Sequence, residues 1–374
     1  MDFAYSETQA QLKDSIERFL AERYDLRRRR ALFDDARSAE GLWREMAELG
    51  WIGAAFPEAD GGYGESALDA FVVMEGFGRR LMALPYLTSV ILCGDLLRRA
   101  LGAGELVGAM IAGRLHAALM ACGNTLLHSP QHGALGAARD GSGYRLSGRM
   151  SVVLGADRAD KLLIAARTGG ADGERAGVTL FLVDAGQVSR RPFRTIDGQG
   201  AAEVEVDSLA AGAEAVVGEP DGAVPLIEAA IDRATAMTCA EACGSMSHLI
   251  PAIAEHIRTR EQYGAPLAKF QVLQHRMADA FIAAETARSM AYVAAIGLDA
   301  GGDPAAISLA KHQAGRSGRY VAYQAVQLHG GLGVSEEMDI SHHSIRLTMI
   351  DRLFGDQTFH LRRYADLTRL GDAA

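Results

Sequence analysis

Two segments in the C-terminal part of the chain contain residue types suited to contact with phosphate groups. The first is Arg258-Thr259-Arg260-Glu261-Gln262-Tyr263-Gly264-Ala265-Pro266-Leu267, and an arginine guanidinium offers a rigid fork of donors that matches a pyrophosphate. The second contains Gly330-Gly331, and two adjacent glycines let the backbone approach a ligand without interference from Cβ. The alternative is an exposed arginine and an ordinary glycine-rich connection between helices. Residue types alone leave both interpretations open.

Three other clusters could do chemistry but are better explained as structure. Cys239 and Cys243 are spaced to share one helix face, and without further metal ligands nearby they indicate two small residues in a packed helix interface. His342-His343 is an adjacent pair rather than an i, i+4 pair, which makes it a poor metal site. Arg27–Arg30 points in all directions around a helix, so we expect a solvated segment or subunit contact rather than a phosphate clamp. The sequence therefore predicts no metal site.

Length and composition describe a globular chain with more than one domain. The chain has 374 residues, 49% of them hydrophobic, and this length exceeds what one hydrophobic core usually supports. A net charge of −9 argues against nucleic acid or an anionic membrane as the main partner. No stretch reaches the roughly 18 consecutive apolar residues of a membrane helix, and the N-terminus lacks the features of a secretory signal. Four cysteines form no disulfide framework, so we expect a cytoplasmic protein.

The chain begins with a helical region, residues 1–114, the first of three regions that together must position the candidate phosphate-binding segments. Ser6 and Gln9 resemble a capping box, which marks the start of the first helix. Further helices are predicted around residues 42–49, 68–82 and 87–101. This region is therefore predicted to be a helical domain.

The middle region, residues 115–218, changes to short β-type runs separated by Gly- and Asp-rich turns. The predicted strands are 144–146, 151–154, 161–164, 178–183 and 203–206. Because no long helical pattern interrupts them, we expect an antiparallel sheet rather than a βαβ unit.

Helical periodicity returns in the third region, residues 219–374, in four long blocks. The first block covers 226–258 and contains Pro251, which could kink it. Long amphipathic segments with short connections are typical of an up-and-down bundle. The sequence as a whole predicts an α+β fold with an N-terminal helical domain, a middle antiparallel β domain and a C-terminal four-helix bundle.

Two motifs in the third region resemble the acyl-CoA dehydrogenase family. The segment from Arg260 through Tyr263-Gly264-Ala265-Pro266 to Phe270-Gln271 matches the family pattern Arg-x-x-(Phe/Tyr)-Gly-x-Pro followed by Phe-Gln. The segment Gln327-Leu328-His329-Gly330-Gly331-Leu332-Gly333 matches the Gln-x-x-Gly-Gly-x-Gly loop. Both motifs occur in the expected order and separation, and the α–β–α layout agrees along the whole chain. The resemblance implies an acyl-CoA dehydrogenase-like fold.

This resemblance also implies an FAD site that is shared between subunits. In the family, each FAD lies across a subunit interface, and the two motifs serve its diphosphate and adenosine half while the neighbouring subunit holds most of the cofactor. The corresponding residues here are Arg260, Gln271, Gln327, Leu328, His329, Gly330 and Gly331. Tyr263 either packs against the flavin or fills the subunit interface. The implied assembly is an oligomer, a dimer or tetramer, that acts on an acyl-CoA.

The catalytic base of the family is missing at both positions where the resemblance places it. The reaction removes an α proton while a β hydride passes to the flavin, so a carboxylate must lie beside the thioester. In most members that Glu precedes a Gly-Thr in the last part of the bundle, and here Phe354 occupies its position. Some members place the base on the first long bundle helix, where this chain has Ala234 followed by Thr235. Neither Phe nor Ala can accept a proton, so no catalytic residue is predicted.

The flavin-ring cradle of the family is altered as well. Family members carry a Thr-Glu-Pro…Gly-Ser-Asp segment and a Trp-Ile-Thr strand around the ring. The first motif is missing from the region Ala121 to His132, and Val152 and Leu154 stand where the stacking Trp and the hydrogen-bonding Thr would be. A chain that keeps the diphosphate motifs but lacks the cradle and the base would complete its neighbour's FAD site and have no working one itself.

Segments 271–276, 346–351 and 353–356 resemble one branch of the family in particular. The sequence is similar there to the small subunit of pimeloyl-CoA dehydrogenases and to subunits of heterotetrameric acyl-CoA dehydrogenases of bacterial steroid breakdown. In the steroid-type complexes, two unlike chains form an α2β2 assembly with fewer flavins than subunits. The resemblance therefore implies a subunit whose homologous partner carries the catalytic Glu.

Two other interpretations are open at this point. A self-sufficient homotetrameric dehydrogenase, or a nitroalkane-oxidising relative with an Asp base, would need a displaced carboxylate, for which the candidates are Asp356, Glu336 and Glu337. Asp356 lies two residues beyond the expected position and would point elsewhere on a helix. The other interpretation is a flavin-free scaffold that only stabilises its partner, and the retained Arg260 and Gln327 argue against it.

Overall fold

The N-terminal region is helical, as its periodicity predicts. The computed structural model describes residues 5–102, 104–121 and 128–369. The helices of this region are α1 (Glu7–Arg23), α2 (Leu26–Asp34), α3 (Ala36–Glu48), α4 (Ala67–Arg80), α5 (Gly94–Leu101) and α6 (Glu105–Ile111). The capping box is confirmed, because the Gln9 N–H donates to Ser6 Oγ at 3.2 Å and the Ser6 N–H donates to Gln9 Oε1 at 3.1 Å.

The α-helix predicted at 87–101 is wrong in its first half. Tyr86–Cys93 is a π-helical segment, and the α-helix begins only at Gly94. All side chains of the π-helical segment are buried. An apolar run that is buried on every side has no one-sided periodicity, so the sequence pattern could not distinguish the two helix types.

The middle region forms one sheet whose pairings are mainly antiparallel. Its strands are β1 (Ala117–Met120), β2 (Leu135–Asp140), β3 (Gly143–Leu154), β4 (Lys161–Arg167), β5 (Val178–Asp184), β6 (Ser189–Arg194), β7 (Gly200–Ala211) and β8 (Val216–Val217). Their order is β6-β7-β3-β2-β4-β5-β8. The fold class is confirmed, although β1 and part of β2 pair with β4 in parallel. The two strands predicted at 144–146 and 151–154 are one strand, β3. Two register shifts against β7 interrupt the alternation of buried and exposed residues along it, so the sequence pattern looked like two strands.

The C-terminal region consists of long helices joined by short connections. They are α7 (Ala223–Thr259), α8 (Gln271–Asp299), α9 (Pro304–His329), α10 (Asp339–Arg352) and α11 (Gln357–Arg369), with a small hairpin of β9 (Glu261–Gln262) and β10 (Ala265–Pro266) after α7. Pro251 lies inside α7 without ending it. The last of the four predicted blocks is divided into α10 and α11, because Phe354 and Gly355 both have positive φ and break the helix.

The chain divides into two compact units. The first comprises Met1–Arg29, Ser66–Met82 and Thr235–Ala374, and the second comprises Arg30–Glu65 and Ala83–Ala234. The sheet belongs to the second unit, and the helices from Thr235 onward belong to the first. Of the helices in the described ranges, none is long and apolar enough to cross a membrane.

Within the first unit, α7 is packed closely against α4 and α10. A Cβ on Gly78 would lie 2.0 Å from Glu241 O, and a Cβ on Gly244 would lie 1.9 Å from Glu75 O, so both positions of the α4–α7 crossing require glycine. Arg346 of α10 donates to both carboxylate oxygens of Glu241 at 2.7 Å, and both side chains are buried. This bidentate pair holds α10 against α7 and thereby positions the segment that follows α10.

Packing explains the clusters that were interpreted as structural. Cys239 and Cys243 are buried in α7, as predicted for two small residues in a helix interface. The solvated segment predicted at Arg27–Arg30 is wrong for Arg29, which is buried and donates its Nε to Leu81 O at 2.9 Å. Leu81 follows the last residue of α4, and carbonyls at a helix end need partners from outside the helix.

Candidate functional site

Arg260 lies between α7 and the β9–β10 hairpin. Its N–H donates to His256 O at 2.9 Å and its carbonyl accepts the Leu267 N–H at 2.8 Å, so the backbone is held on both sides. The side chain is exposed, and within the described ranges its guanidinium forms no hydrogen bond or ion pair. A fixed backbone that carries an unengaged guanidinium suits recognition of an anion from outside the chain.

The hairpin presents Tyr263 at its tip. Tyr263 and Gly264 have φ values of 55° and 75°, as in the two-residue turns that close tight hairpins. This conformation is unfavourable for tyrosine, yet the ring is 92% exposed. It contacts Phe270 edge-on, with ring centroids 6.2 Å apart. The ring is therefore available to a cofactor or a subunit, and both predicted roles of Tyr263 stay predictions.

The glycine-rich loop follows α9. Gln327 is exposed, whereas the side chains of Leu328 and His329 are buried. Gly330 has a φ of 61°, which itself favours glycine. A Cβ on Gly330 or Gly331 would meet nothing within 4 Å, so the chain's own packing does not require Gly331. The open backbone leaves space in which a ligand can approach.

The two predicted motifs meet at one end of the first unit's helices. The His256 ring of α7 stacks on the His329 ring of α9, with centroids 4.3 Å apart and planes at 29°. Arg276 Nη1 of α8 donates to Gln324 Oε1 of α9 at 3.5 Å. Gln271 is the exposed first residue of α8. The end of α7, the start of α8 and the end of α9 are therefore neighbours, although the end of α9 is distant from the other two in sequence.

Phe354 is completely buried and has a φ of 58°, an unfavourable conformation for a bulky residue. Its carbonyl accepts a hydrogen bond from His360 Nε2 at 3.0 Å. Lys311, which is 1% exposed, donates its Nζ to Gly355 O at 2.7 Å and to Asp351 O at 3.2 Å, and burial lowers the pKa of this amine to about 8. These bonds hold the backbone at the first base position, but the side chain there cannot take up a proton.

The residue at the second base position and the three alternative carboxylates are structural or surface residues. Ala234, at the second base position, is completely buried in α7. Asp356 Oδ1 accepts the Phe359 N–H at 2.9 Å and caps the start of α11. Glu336 and Glu337 are exposed in the turn before α10. None of these three carboxylates has the enclosed environment typical of a general base.

The two predicted cradle positions lie near the end of β3. Val152 is 42% exposed and Leu154 is half-buried. Both side chains are aliphatic, so they offer neither an aromatic face nor a hydroxyl to a flavin ring. Of the region Ala121 to His132, residues 122–127 lie outside the described residues.

A stacked imidazole pair between α7 and α10, in which His343 is buried and His248 is half-buried, has no signal in the sequence. His343 Nδ1 lies 2.7 Å from Ser245 Oγ, and the His343 ring stacks on His248 with centroids 4.4 Å apart. His248 Nε2 in turn lies 2.8 Å from Asp339 Oδ2. Burial, and then the neighbouring His248, hold the pKa of His343 well below its usual range. The sequence showed only the adjacent His342-His343, because the partner lies on another helix.

We expect the free energy of unfolding to fall as the pH drops below about 6.5, the usual pKa of histidine. Below this pH, His343 is protonated in the unfolded chain but stays neutral in the folded chain. Acid therefore lowers the free energy of unfolding by on the order of 1–2 kcal/mol. Arg29 and His342 also oppose protonation, and Asp339 favours it. His343→Gln should reduce this pH dependence, as measured by thermal unfolding at about pH 7.5 and about pH 5.5. If the wild type and His343→Gln lose the same stability between these two pH values, His343 is not the source of the pH dependence.

Fold and site together define the chain as an acyl-CoA dehydrogenase-type protein, and it belongs to the acyl-CoA dehydrogenase family. The model of the family's N-terminal domain matches residues 6–100, and the model of its C-terminal domain matches residues 224–363. The chain is therefore a flavoprotein of the oxidoreductase class, and its cofactor is FAD.

The chain is similar over most of its length to individual members of this family. It is 30% identical to acyl-CoA dehydrogenase FadE27 of Mycobacterium tuberculosis over 338 residues, 86% of each chain. Among solved structures, the ChsE4-ChsE5 complex from Mycobacterium tuberculosis matches with a TM-score of 0.86 and 27% identity, covering 98% of both chains. A variant of the Tcur3481-Tcur3483 steroid ACAD (acyl-CoA dehydrogenase) matches with a TM-score of 0.85 and 27% identity, covering 98% of this chain and 99% of that one.

Proposed function

We propose that this chain is the non-catalytic half of an α2β2 acyl-CoA dehydrogenase. It supplies residues for the diphosphate and adenosine half of FAD, and a homologous partner subunit supplies the flavin-ring cradle and the catalytic Glu. The complex carries out α,β-dehydrogenation of an acyl-CoA thioester. FAD, when bound, accepts the β hydride in this reaction.

One contrast supports the proposal most strongly. The motif for the diphosphate carries an exposed guanidinium, Arg260, without a partner among the described residues, whereas the position for the base carries the completely buried Phe354. A flavin-free scaffold has no use for the first feature, and a self-sufficient dehydrogenase cannot work with the second. Asp356, the nearest alternative base, already caps α11.

The chain's own residues would bind and orient the cofactor rather than move protons. The Arg260 guanidinium would donate to the diphosphate oxygens, and Gly330 and Gly331 would let the diphosphate approach their backbone. Gln271 and Gln327 each carry an exposed amide that can both donate and accept hydrogen bonds. Removal of the α proton is left to the partner's Glu.

The relatives support a partner subunit and a steroid-type acyl-CoA. One similar structure is the Tcur3481-Tcur3483 steroid ACAD, and another is the ChsE4-ChsE5 complex. Each is named for two different proteins. Both match the chain along almost its entire length at 27% identity, and this similarity to two-chain complexes is the reason for proposing a heteromeric assembly rather than a homotetramer.

We also infer a cytoplasmic location. Cys93, Cys239 and Cys243 are free and buried, and unpaired thiols suit a reducing compartment.

Replacing Arg260 with alanine should weaken FAD binding to the complex without unfolding the chain. A charge-assisted hydrogen bond contributes on the order of 1.5–3 kcal/mol, so the Kd for FAD should rise by about one to two decades. Arg260→Lys should recover only part of this loss, because an ammonium cannot form the bidentate contact. The measurement is a fluorescence titration of FAD into the flavin-depleted complex, with circular dichroism as the check on folding.

Arg258→Ala is the matched control, because Arg258 is also exposed and lies in the last turn of α7. The control should bind FAD like the wild type. An unchanged Kd in Arg260→Ala, or an equal rise in Arg258→Ala, would remove Arg260 from the site and leave the proposed function without its main support.

A further inference from the structure

Two imidazole rings connect the segments that form the proposed diphosphate site. His256 is in the last turn of α7, and its carbonyl accepts the Arg260 N–H at 2.9 Å. His329 is the last residue of α9 and directly precedes Gly330. The two rings stack with centroids 4.3 Å apart and planes at 29°. Each ring is therefore separated by a short length of backbone from a group that would contact the diphosphate.

His329 is the fixed member of this stack. Its ring is buried, and its Nδ1 lies 2.8 Å from Ala325 O. A carbonyl can only accept, so Nδ1 carries the proton and the orientation of the ring is set. His256 is half-buried, and within the described ranges its ring nitrogens form no hydrogen bond. The His329 ring is thus a platform against which His256, and with it the end of α7, is placed.

The surroundings of the stack are basic. Burial, then His329 of α9 and Arg260 after α7, lower the pKa of His256, so its ring is neutral at neutral pH. Among the residues that the structure describes, these are the titratable and charged groups that shift the pKa of His256. A diphosphate bound beside Arg260 would offset the repulsion from that side and favour the protonated ring.

We propose that the His256–His329 stack is a positioning element of the FAD site. It sets the separation between Arg260 and the backbone of Gly330-Gly331, and protonation of His256 strengthens binding of the diphosphate. This inference rests on the proposed function and extends it to His256, which lies outside both motifs. Because FAD then binds together with a proton, its affinity rises as the pH falls.

Titration of FAD into the flavin-depleted complex tests both parts of the inference. His256→Ala removes the stack and should raise the Kd roughly three- to ten-fold at about pH 7.5. His256→Phe keeps an aromatic ring without a titratable nitrogen, so it should restore most of the affinity at that pH. Between about pH 7.5 and about pH 6, the Kd of the wild type should fall several-fold, and this gain should be absent in His256→Phe. Glu255→Ala, an exposed neighbour on the same turn, should behave like the wild type.

Arg260→Ala, titrated in parallel, separates the possible failures. If it binds FAD as tightly as the wild type, the proposed function is wrong and this inference fails with it. If Arg260→Ala weakens binding but His256→Ala does not, only the positioning role is overturned. The positioning role is also overturned if His256→Phe binds as weakly as His256→Ala at about pH 7.5. A His256→Phe variant that keeps the full pH dependence would show that another group takes up the proton.

Discussion

A glutamate introduced at Phe354 should not give this chain a working active site, whereas loss of the catalytic Glu from the partner subunit should abolish turnover of the complex. A general base contributes roughly 10²–10⁴ in rate, and the partner substitution should lower turnover by about that factor. Phe354→Glu should not raise the turnover of the wild-type complex. It should also fail to rescue a complex whose partner lacks its Glu.

The surroundings of Phe354 explain the expected failure. The position is completely buried, so a glutamate there would lose its hydration and tend to stay protonated. An unpaired polar group would also destabilise the helices around it. The bonds from Lys311 and His360 hold the backbone of this segment in place. Val152 and Leu154 would still offer the flavin ring neither a stacking face nor a hydrogen bond.

Phe354→Leu is the matched control, because it keeps an apolar side chain at the same buried position. Activity is measured as acyl-CoA oxidation with an artificial electron acceptor, on complexes whose subunit composition has been verified. Substantial turnover after loss of the partner's Glu would show that this chain has its own base. Rescue of that complex by Phe354→Glu would show that its flavin site is complete.

Short-range signals predicted much of the fold. The capping box at Ser6 marks the start of α1, because its two reciprocal hydrogen bonds join residues only one turn apart. By contrast, residue types alone could not show that the Arg260 segment and the Gly330-Gly331 loop lie at one end of the molecule's first unit. Resemblance to a family supplied that expectation, and the ring stack at the ends of α7 and α9 agrees with it.

Contacts between distant helices left no local signal. His343 follows His342 and has no metal-binding or catalytic spacing, yet it stacks on His248 of another helix. His256 and His329 also belong to helices that no short motif connects. Such pairs are decided by tertiary packing, which overrides local patterns and cannot be recovered from the spacing of a single sequence.

The chain expressed alone should contain little FAD, and co-expression with a cognate dehydrogenase subunit should restore it. The Arg260 segment and the Gly330-Gly331 loop suit only the diphosphate and adenosine half, while Val152 and Leu154 offer the flavin ring no support. Loss of ring stacking and of the associated hydrogen bonds removes on the order of 3 kcal/mol, or about two decades of affinity. We therefore expect the chain expressed alone to be folded, as judged by circular dichroism, and to show little flavin absorbance.

The flavin content of the purified proteins tests the non-catalytic role most directly. FAD is released by denaturation and counted by absorbance per subunit, once for the chain alone and once for the complex with its partner. We expect almost no FAD in the chain alone and fewer flavins than subunits in the complex. A stoichiometric flavin spectrum in the homo-oligomer of this chain would contradict the non-catalytic role and identify it as a self-sufficient flavoprotein.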